Sequence, residues 1–180
     1  MDATTRAARL KLMAFDIDGV MTDGRLYFTE DGTEFKAFHT LDGHGLKMLQ
    51  SAGIELAIIT GRTSGAVSAR AANLGITHLF QGVADKRDCL GRLLRHLGLS
   101  WDEAGYMGDD IVDLPVMSAC GFCAAPKNAH SAVHRHAHIL TRASGGAGAV
   151  REACEFILAA QGRWDQAMAP YLPRDSAPAP

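Results

Sequence analysis

No run in the 180 residues is apolar enough to span a bilayer, and Met1 to Arg9 is polar, without the apolar core of a secretion signal. An excess of charge of either sign is also missing. Eighteen basic residues against twenty acidic ones leave a formal net charge of −2. That balance gives neither nucleic acid nor an anionic membrane surface an electrostatic footprint, so neither is expected as a partner. Cysteine is scarce: Cys89, Cys120, Cys123 and Cys154, with no secretion signal, read as reduced thiols in a cytoplasm. Proline is scarce before the end: four of the six, Pro170, Pro173, Pro178 and Pro180, lie in the last stretch. Residues 162–180 therefore read as a loose tail and residues 1–9 as a flexible lead-in. What lies between, 10–161, is long enough for one domain with a full core, and it contains no repeat and no linker.

Within that span, apolar runs alternate with helical patterns. Leu10 to Phe15, Glu55 to Thr60, Thr77 to Phe80, Ala104 to Met107 and Gly121 to Ala125 read as strands. Helical spacing covers about 43–51, 64–74, 86–97, 111–118, 129–136 and 147–160, with Gly53, Gly75 and Gly98 placed as left-handed C-terminal caps. This alternation predicts an α/β fold, a doubly wound parallel sheet with helices on both faces. One segment departs from it. Arg25 to Thr29 and Glu34 to His39 flank an Asp31-Gly32 turn, which reads as a β-hairpin flap over about 25–39.

In such a sheet, ligands bind at the carboxyl ends of the strands. The first strand ends in Asp16-Ile17-Asp18-Gly19-Val20, and residues two apart on a strand project from the same side. Two carboxylates ~4 Å apart at an effective dielectric of ~20 repel by about 4 kcal/mol, so the pair implies a bound cation, a held proton, or both. The second strand ends in Thr60-Gly61-Arg62 and a helix starts near Lys86. The strand at Tyr106-Met107 ends in Gly108-Asp109-Asp110, with Asp113 a turn further on. Hard oxygen donors in this number suit Mg²⁺. A divalent ion, a lysine and a hydroxyl are what a transferring phosphoryl group needs, because its charge spreads over three oxygens.

Asp16-x-Asp18-Gly-Val, Thr60-Gly61, Lys86 and Gly108-Asp-Asp-x-x-Asp113, in that order, resemble the four motifs of the haloacid dehalogenase-like phosphohydrolases. The resemblance implies that Asp16 is the nucleophile, forming an aspartyl phosphate, and that Asp18 is the general acid and base. It implies that Asp16, the Asp18 backbone carbonyl and Asp109 hold Mg²⁺, that Asp110 and Asp113 orient that shell, and that Thr60, Gly61 and Lys86 bind the phosphoryl oxygens. The gaps between motifs leave no room for a cap domain. The motifs, the hairpin and the stretches Asp42 to Lys47 and Leu74 to Gly82 narrow the likeness to capless phosphatases of phosphorylated eight-carbon sugar acids, which serve lipopolysaccharide precursor synthesis. That likeness implies a tetramer joined through its hairpins, with Arg62, Lys47, Arg70 and the loop His39, Thr40, Leu41, Asp42, Gly43 meeting the substrate. A nine-carbon sugar acid phosphate is the rival substrate. A receiver-type phosphoacceptor module is the rival class, disfavoured by the order of the motifs.

Three other signals invite a reading. Cys120-x-x-Cys123 has redox spacing but lies in an apolar strand, and core packing is expected. His130, His134, His136 and His138 lack converging partners for zinc. The glycine-rich stretch Arg142 to Arg151 either leads into the last helix or, as the resemblance implies, reaches a neighbouring site.

Overall fold

The apolar run before Asp16 becomes β1 (Leu12–Phe15), buried along its whole length. Met13 and Phe15 enter one core with Leu46, Ile58 and Val150, while Leu12 and Ala14 enter another with Ile59, Leu90 and Tyr106. A strand that is apolar on both sides must be covered on both. In the computed structural model, which describes residues 1–172, β1 lies inside a six-stranded sheet. Its other strands are β4 (Glu55–Ile59), β5 (His78–Phe80), β6 (Ala104–Met107), β7 (Phe122–Ala125) and β8 (Ile139–Leu140). The order is β5-β4-β1-β6-β7-β8, and every pairing is parallel. The first core is covered by α1 (Ala3–Ala7), α2 (Thr40–Ser51), α3 (Gly65–Leu74) and α7 (Ala149–Ala160). The second is covered by α4 (Lys86–Leu97), α5 (Leu114–Met117) and α6 (Ser131–His134). The predicted doubly wound sheet is present, and the described residues form no cap domain. No helix among the described residues is long and apolar enough to cross a membrane.

Helix α4 shows how locally these elements are specified. The Asp85 side chain accepts from the Asp88 N–H at 2.9 Å, Cys89, Leu90, Leu93 and Leu94 repeat at helical spacing into the core, and Gly98 stops the helix at φ +68°. The hairpin is present as β2 (Tyr27–Phe28) and β3 (Glu34–Phe35), with Tyr27 stacked on Phe35. Its ladder is shorter than the sequence pattern implies.

Other elements differ from expectation. The single helix expected over 111–118 is a 3₁₀ turn, Ile111–Asp113, followed by α5. Pro115 lacks an N–H and disfavours helix before it, so it sits in the first turn of a new helix. Strand β8 was not expected, because two residues carry no periodicity. The N-terminal residues are not a loose lead-in. Asp2 caps α1 by accepting from the Thr5 N–H at 2.7 Å, Arg6 donates to the Gly121 carbonyl at 2.8 Å, and Ala7 is buried. At the other end α8 (Trp164–Met168) lays Trp164, Ala167 and Met168 on the first core, in place of the start of a loose tail. The remainder of that expected tail, 173–180, lies outside the described residues.

Candidate active site

Strand order reverses at β1, whose neighbours β4 and β6 carry the chain in opposite directions across the sheet. Phe15 is level with Ile58 on one side and Met107 on the other. The strand-terminal residues Asp16, Thr60 and Gly108 to Asp110 therefore emerge along one edge, in the crevice where open sheets bind ligands. The Asp16 N–H donates to the Met107 carbonyl at 3.0 Å and the Thr60 N–H to the Phe80 carbonyl at 3.0 Å, which anchors both to the sheet.

Lys86, the first residue of α4, reaches this edge with only 7% of its side chain exposed. Its ammonium lies 2.9 Å from Asp16 Oδ2 and 2.7 Å from Asp113 Oδ1. Asp113 is 0% exposed and accepts four donors: Lys86, the Tyr106 hydroxyl at 3.2 Å, and the N–H groups of Asp109 at 3.1 Å and Asp110 at 3.3 Å. It is spent on ordering the loop that carries Asp109, not free to ligate. Asp110 accepts from the Ile111 N–H at 2.7 Å and opens the 3₁₀ turn.

Oxygens of Asp16, Asp109 and Asp113 lie within 4.8 Å of one another, the only such acidic group among the described residues. One ammonium does not neutralise three carboxylates. Burial first, then the Asp113 charge, pushes the Asp16 carboxyl up to about 6 against the pull of Lys86. Burial, then Asp113 and Asp16, pushes Asp109 up to about 7. Burial lowers the Lys86 ammonium, and the charges of Asp16 and Asp113 more than reverse it, raising it overall. The donor set is hard, acidic and short of positive charge, which fits a divalent cation between Asp16 and Asp109. Gly19 fits it too: at φ +88° it lets the Asp109 carboxylate in so close that a Cβ there would stand 2.0 Å from Oδ2.

Asp18 belongs to a second group that the sequence reading did not assemble. Its Oδ1 pairs closely with Lys36 of the hairpin, and its Oδ2 lies 3.7 Å from Arg62 Nε. Glu34 of β3 meets the same two cations, Lys36 at 3.3 Å and Arg62 in closer contact. Lys36 and Glu34 were missed. The available signal was the strand period, since 34 and 36 share a face of a hairpin that follows Asp18 directly.

The remaining predicted contacts do not join the carboxylates. Arg70 donates to the His39 carbonyl at 3.2 Å, lies 5.8 Å from the Phe38 ring centroid, and fills the space above Gly43, where a Cβ would be 2.2 Å from its Nη2. His39 caps α2 by accepting from the Leu41 N–H; Thr40 is the first residue of that helix and Leu41 is exposed. Asp42, expected to meet substrate, is instead buried and accepts from the N–H groups of Gly148 and Arg151 at 3.3 and 2.8 Å. It caps α7. Lys47 lines a cavity of about 430 Å³ between α2 and the α8 region with His44, Arg163 and Tyr171, and no site carboxylate lines that cavity. The glycine-rich stretch packs on its own chain. The Gly146 N–H donates to the Val20 carbonyl at 3.0 Å, and a Cβ on Gly145 would stand 1.8 Å from the Gly19 carbonyl oxygen.

All four cysteines are buried and unpaired, with burial pushing Cys123 up to about 12 and Cys120 higher than a free thiol. We expect a thiol reagent to label none of the four within minutes on the native protein and all of them after denaturation. Rapid native labelling of Cys120 or Cys123 would contradict the packing. His138 accepts from the Cys123 N–H at 2.8 Å and stacks on Phe122, and no histidine cluster of metal-ligating geometry forms among the described residues.

A doubly wound sheet with a buried aspartate paired to a buried lysine and an acidic Gly-Asp-Asp turn at its carboxyl edge defines a haloacid dehalogenase-like hydrolase. The family model described as haloacid dehalogenase-like hydrolase matches residues 76–152. The 3-deoxy-D-manno-octulosonate 8-phosphate phosphatase of Escherichia coli K12 is 42% identical over 166 residues, covering 92% of this chain and 88% of that protein. The same enzyme from Moraxella catarrhalis, crystallised with magnesium, phosphate and KDO, superposes with a TM-score of 0.92 at 41% identity, covering 94% of this chain and 98% of that one. A probable YrbI family phosphatase from Pseudomonas syringae superposes at 0.94 and 52% identity, covering 96% and 98%. The chain belongs to the 3-deoxy-D-manno-octulosonate 8-phosphate phosphatase family.

Proposed function

We propose that this chain is a Mg²⁺-dependent phosphatase that hydrolyses 3-deoxy-D-manno-octulosonate 8-phosphate to the free sugar acid and phosphate. The observation that carries this reading is Asp16, buried at the sheet edge with one oxygen on Lys86 and Asp109 across from it. Asp16 attacks phosphorus in line with the sugar oxygen. The phosphorus–oxygen bond to the sugar breaks and Asp18 gives the departing alkoxide its proton. Asp18 then takes a proton from water as that water attacks the aspartyl phosphate, the bond to Asp16 breaks, and phosphate leaves. Lys86, the Thr60 hydroxyl and the Gly61 N–H face the phosphoryl oxygens, and Arg62 stands beside them for the substrate's carboxylate. Asp16, the Asp18 carbonyl and Asp109 would hold Mg²⁺, which supplies positive charge against the phosphoryl group.

Around this chemistry we place the chain in the cytoplasm, on the route to lipopolysaccharide, as a homotetramer. Leu26, Phe28 and Phe35, exposed on and beside the hairpin, support association through that element.

A steady-state screen of phosphorylated sugar acids, the nine-carbon homologue included, tests the reading. The octulosonate ester should have the highest kcat/KM, and a strong chelator should abolish turnover; full activity with chelator present would sink it. A second readout follows from the raised carboxyls. Between about pH 4 and 7 the native state holds protons on Asp16 and Asp109 that the unfolded chain releases, so these two groups make the metal-free protein less stable as pH rises through that window. Mg²⁺ must displace those protons. Its addition should therefore raise the thermal midpoint more at pH 7.5 than at pH 5.5, and an equal or reversed effect would contradict the site.

A further inference from the structure

Asp18, Lys36, Glu34 and Arg62 form a closed ring of alternating charge. Asp18 Oδ1 meets Lys36, Lys36 meets Glu34 Oε1, Glu34 Oε2 meets Arg62, and Arg62 returns to Asp18 Oδ2. Each carboxylate divides its two oxygens between the same two cations, so the ring carries no net charge. The cations differ in what they can do next. The Arg62 side chain is 46% exposed and can turn to a ligand, whereas the Lys36 side chain is 2% exposed. An ammonium with so little solvent contact would stand unpaired if it lost both carboxylates, which is unfavourable. It therefore stays with them.

We propose that Lys36 is a positioning residue for Asp18, so that the hairpin carries part of the catalytic apparatus besides its exposed apolar face. The proposal rests on the phosphatase reading above. When Arg62 turns to the anionic substrate, the ring opens on that side alone. Lys36 still holds Asp18 Oδ1, and Glu34 holds Lys36 from the other direction. One carboxylate oxygen is thereby fixed and the other, Oδ2, is released toward the reacting ester. A general acid must sit within about 2.6–3.2 Å of the oxygen it protonates, and an aspartate at the start of a loop has no such restraint of its own.

Leaving-group chemistry tests this. A sugar alkoxide needs a proton as it departs, but p-nitrophenolate does not, and kcat/KM reports steps only through that first bond cleavage. With Mg²⁺ present, Lys36→Met should lower kcat/KM by about 10²-fold on octulosonate 8-phosphate and by less than about threefold on p-nitrophenyl phosphate. Glu34→Gln should show the same split in weaker form, and it serves if Lys36→Met misfolds. On an Asp18→Asn background, Lys36→Met should cost almost nothing further, because the group it positions is gone. Equal losses on both substrates, or a full additional loss in the double variant, would overturn the positioning role while leaving the phosphatase reading intact. Absence of octulosonate 8-phosphate turnover by the unmodified protein would overturn both.

Discussion

Asp16→Asn is expected to remove turnover by at least about 10⁴-fold and to leave the protein folded. An amide in place of the carboxylate neither attacks phosphorus nor contributes charge to a cation. The fold should tolerate the change, because Asp16 is one of three carboxylates gathered within 4.8 Å and two of them push up its proton affinity or that of its neighbour. Removing one negative charge relieves that repulsion, while Lys86 keeps Asp113 at 2.7 Å as a partner. The thermal midpoint without metal should stay within a few degrees of the parent or rise. Residual kcat above about a hundredth of the parent value would show that another group accepts the phosphoryl group.

Asp113→Ala is expected to behave oppositely, losing stability first and activity as a consequence. Asp113 accepts four donors in a fully buried place, among them a lysine with almost no solvent contact. Truncating it leaves the two loop N–H groups of Asp109 and Asp110 without their acceptor, leaves the Tyr106 hydroxyl only the Ile59 carbonyl at 3.3 Å, and strips Lys86 of one of two counter-charges. Breaking a buried pair in this way costs roughly 3–5 kcal/mol. For a chain of this length that is roughly a 10 °C fall in the thermal midpoint. Urea unfolding measures it directly, and a loss under about 1 kcal/mol would mean the loop does not depend on Asp113. Taken together, the two variants test whether Asp16 reacts while Asp113 holds the turn.

Much of the site was legible because the rule that builds it is nearly local. An apolar run that ends in a carboxylate, repeated with a threonine and with Gly-Asp-Asp, marks strand ends, and parallel strands bring their ends to one edge. Asp16, Thr60, Asp109 and Lys86 follow from that rule and from motif order. The contacts that Arg70, Asp42 and Lys47 make do not. All three are charged residues near a predicted site, and a substrate contact and a structural contact look alike in one dimension. Asp42 has its acceptor oxygens on the N–H groups of Gly148 and Arg151, more than a hundred residues away. Nothing near position 42 announces that helix end. The ends of the chain were misread for a related reason: composition marked 1–9 as loose, but one cap at Asp2 and one long-range bond from Arg6 to Gly121 hold a short helix in place.

By itself, the sequence determined the layered sheet and the edge at which Asp16 and Asp109 gather, since periodicity and strand-end position are properties of short segments. Only the tertiary structure decided how charge is shared at that edge. Lys86 divides itself between Asp16 and Asp113, while Lys36 and Arg62 divide themselves between Asp18 and Glu34. The physical reason is saturation: a buried ion must find every partner it needs from whatever elements surround it, and those neighbours come from distant parts of the chain.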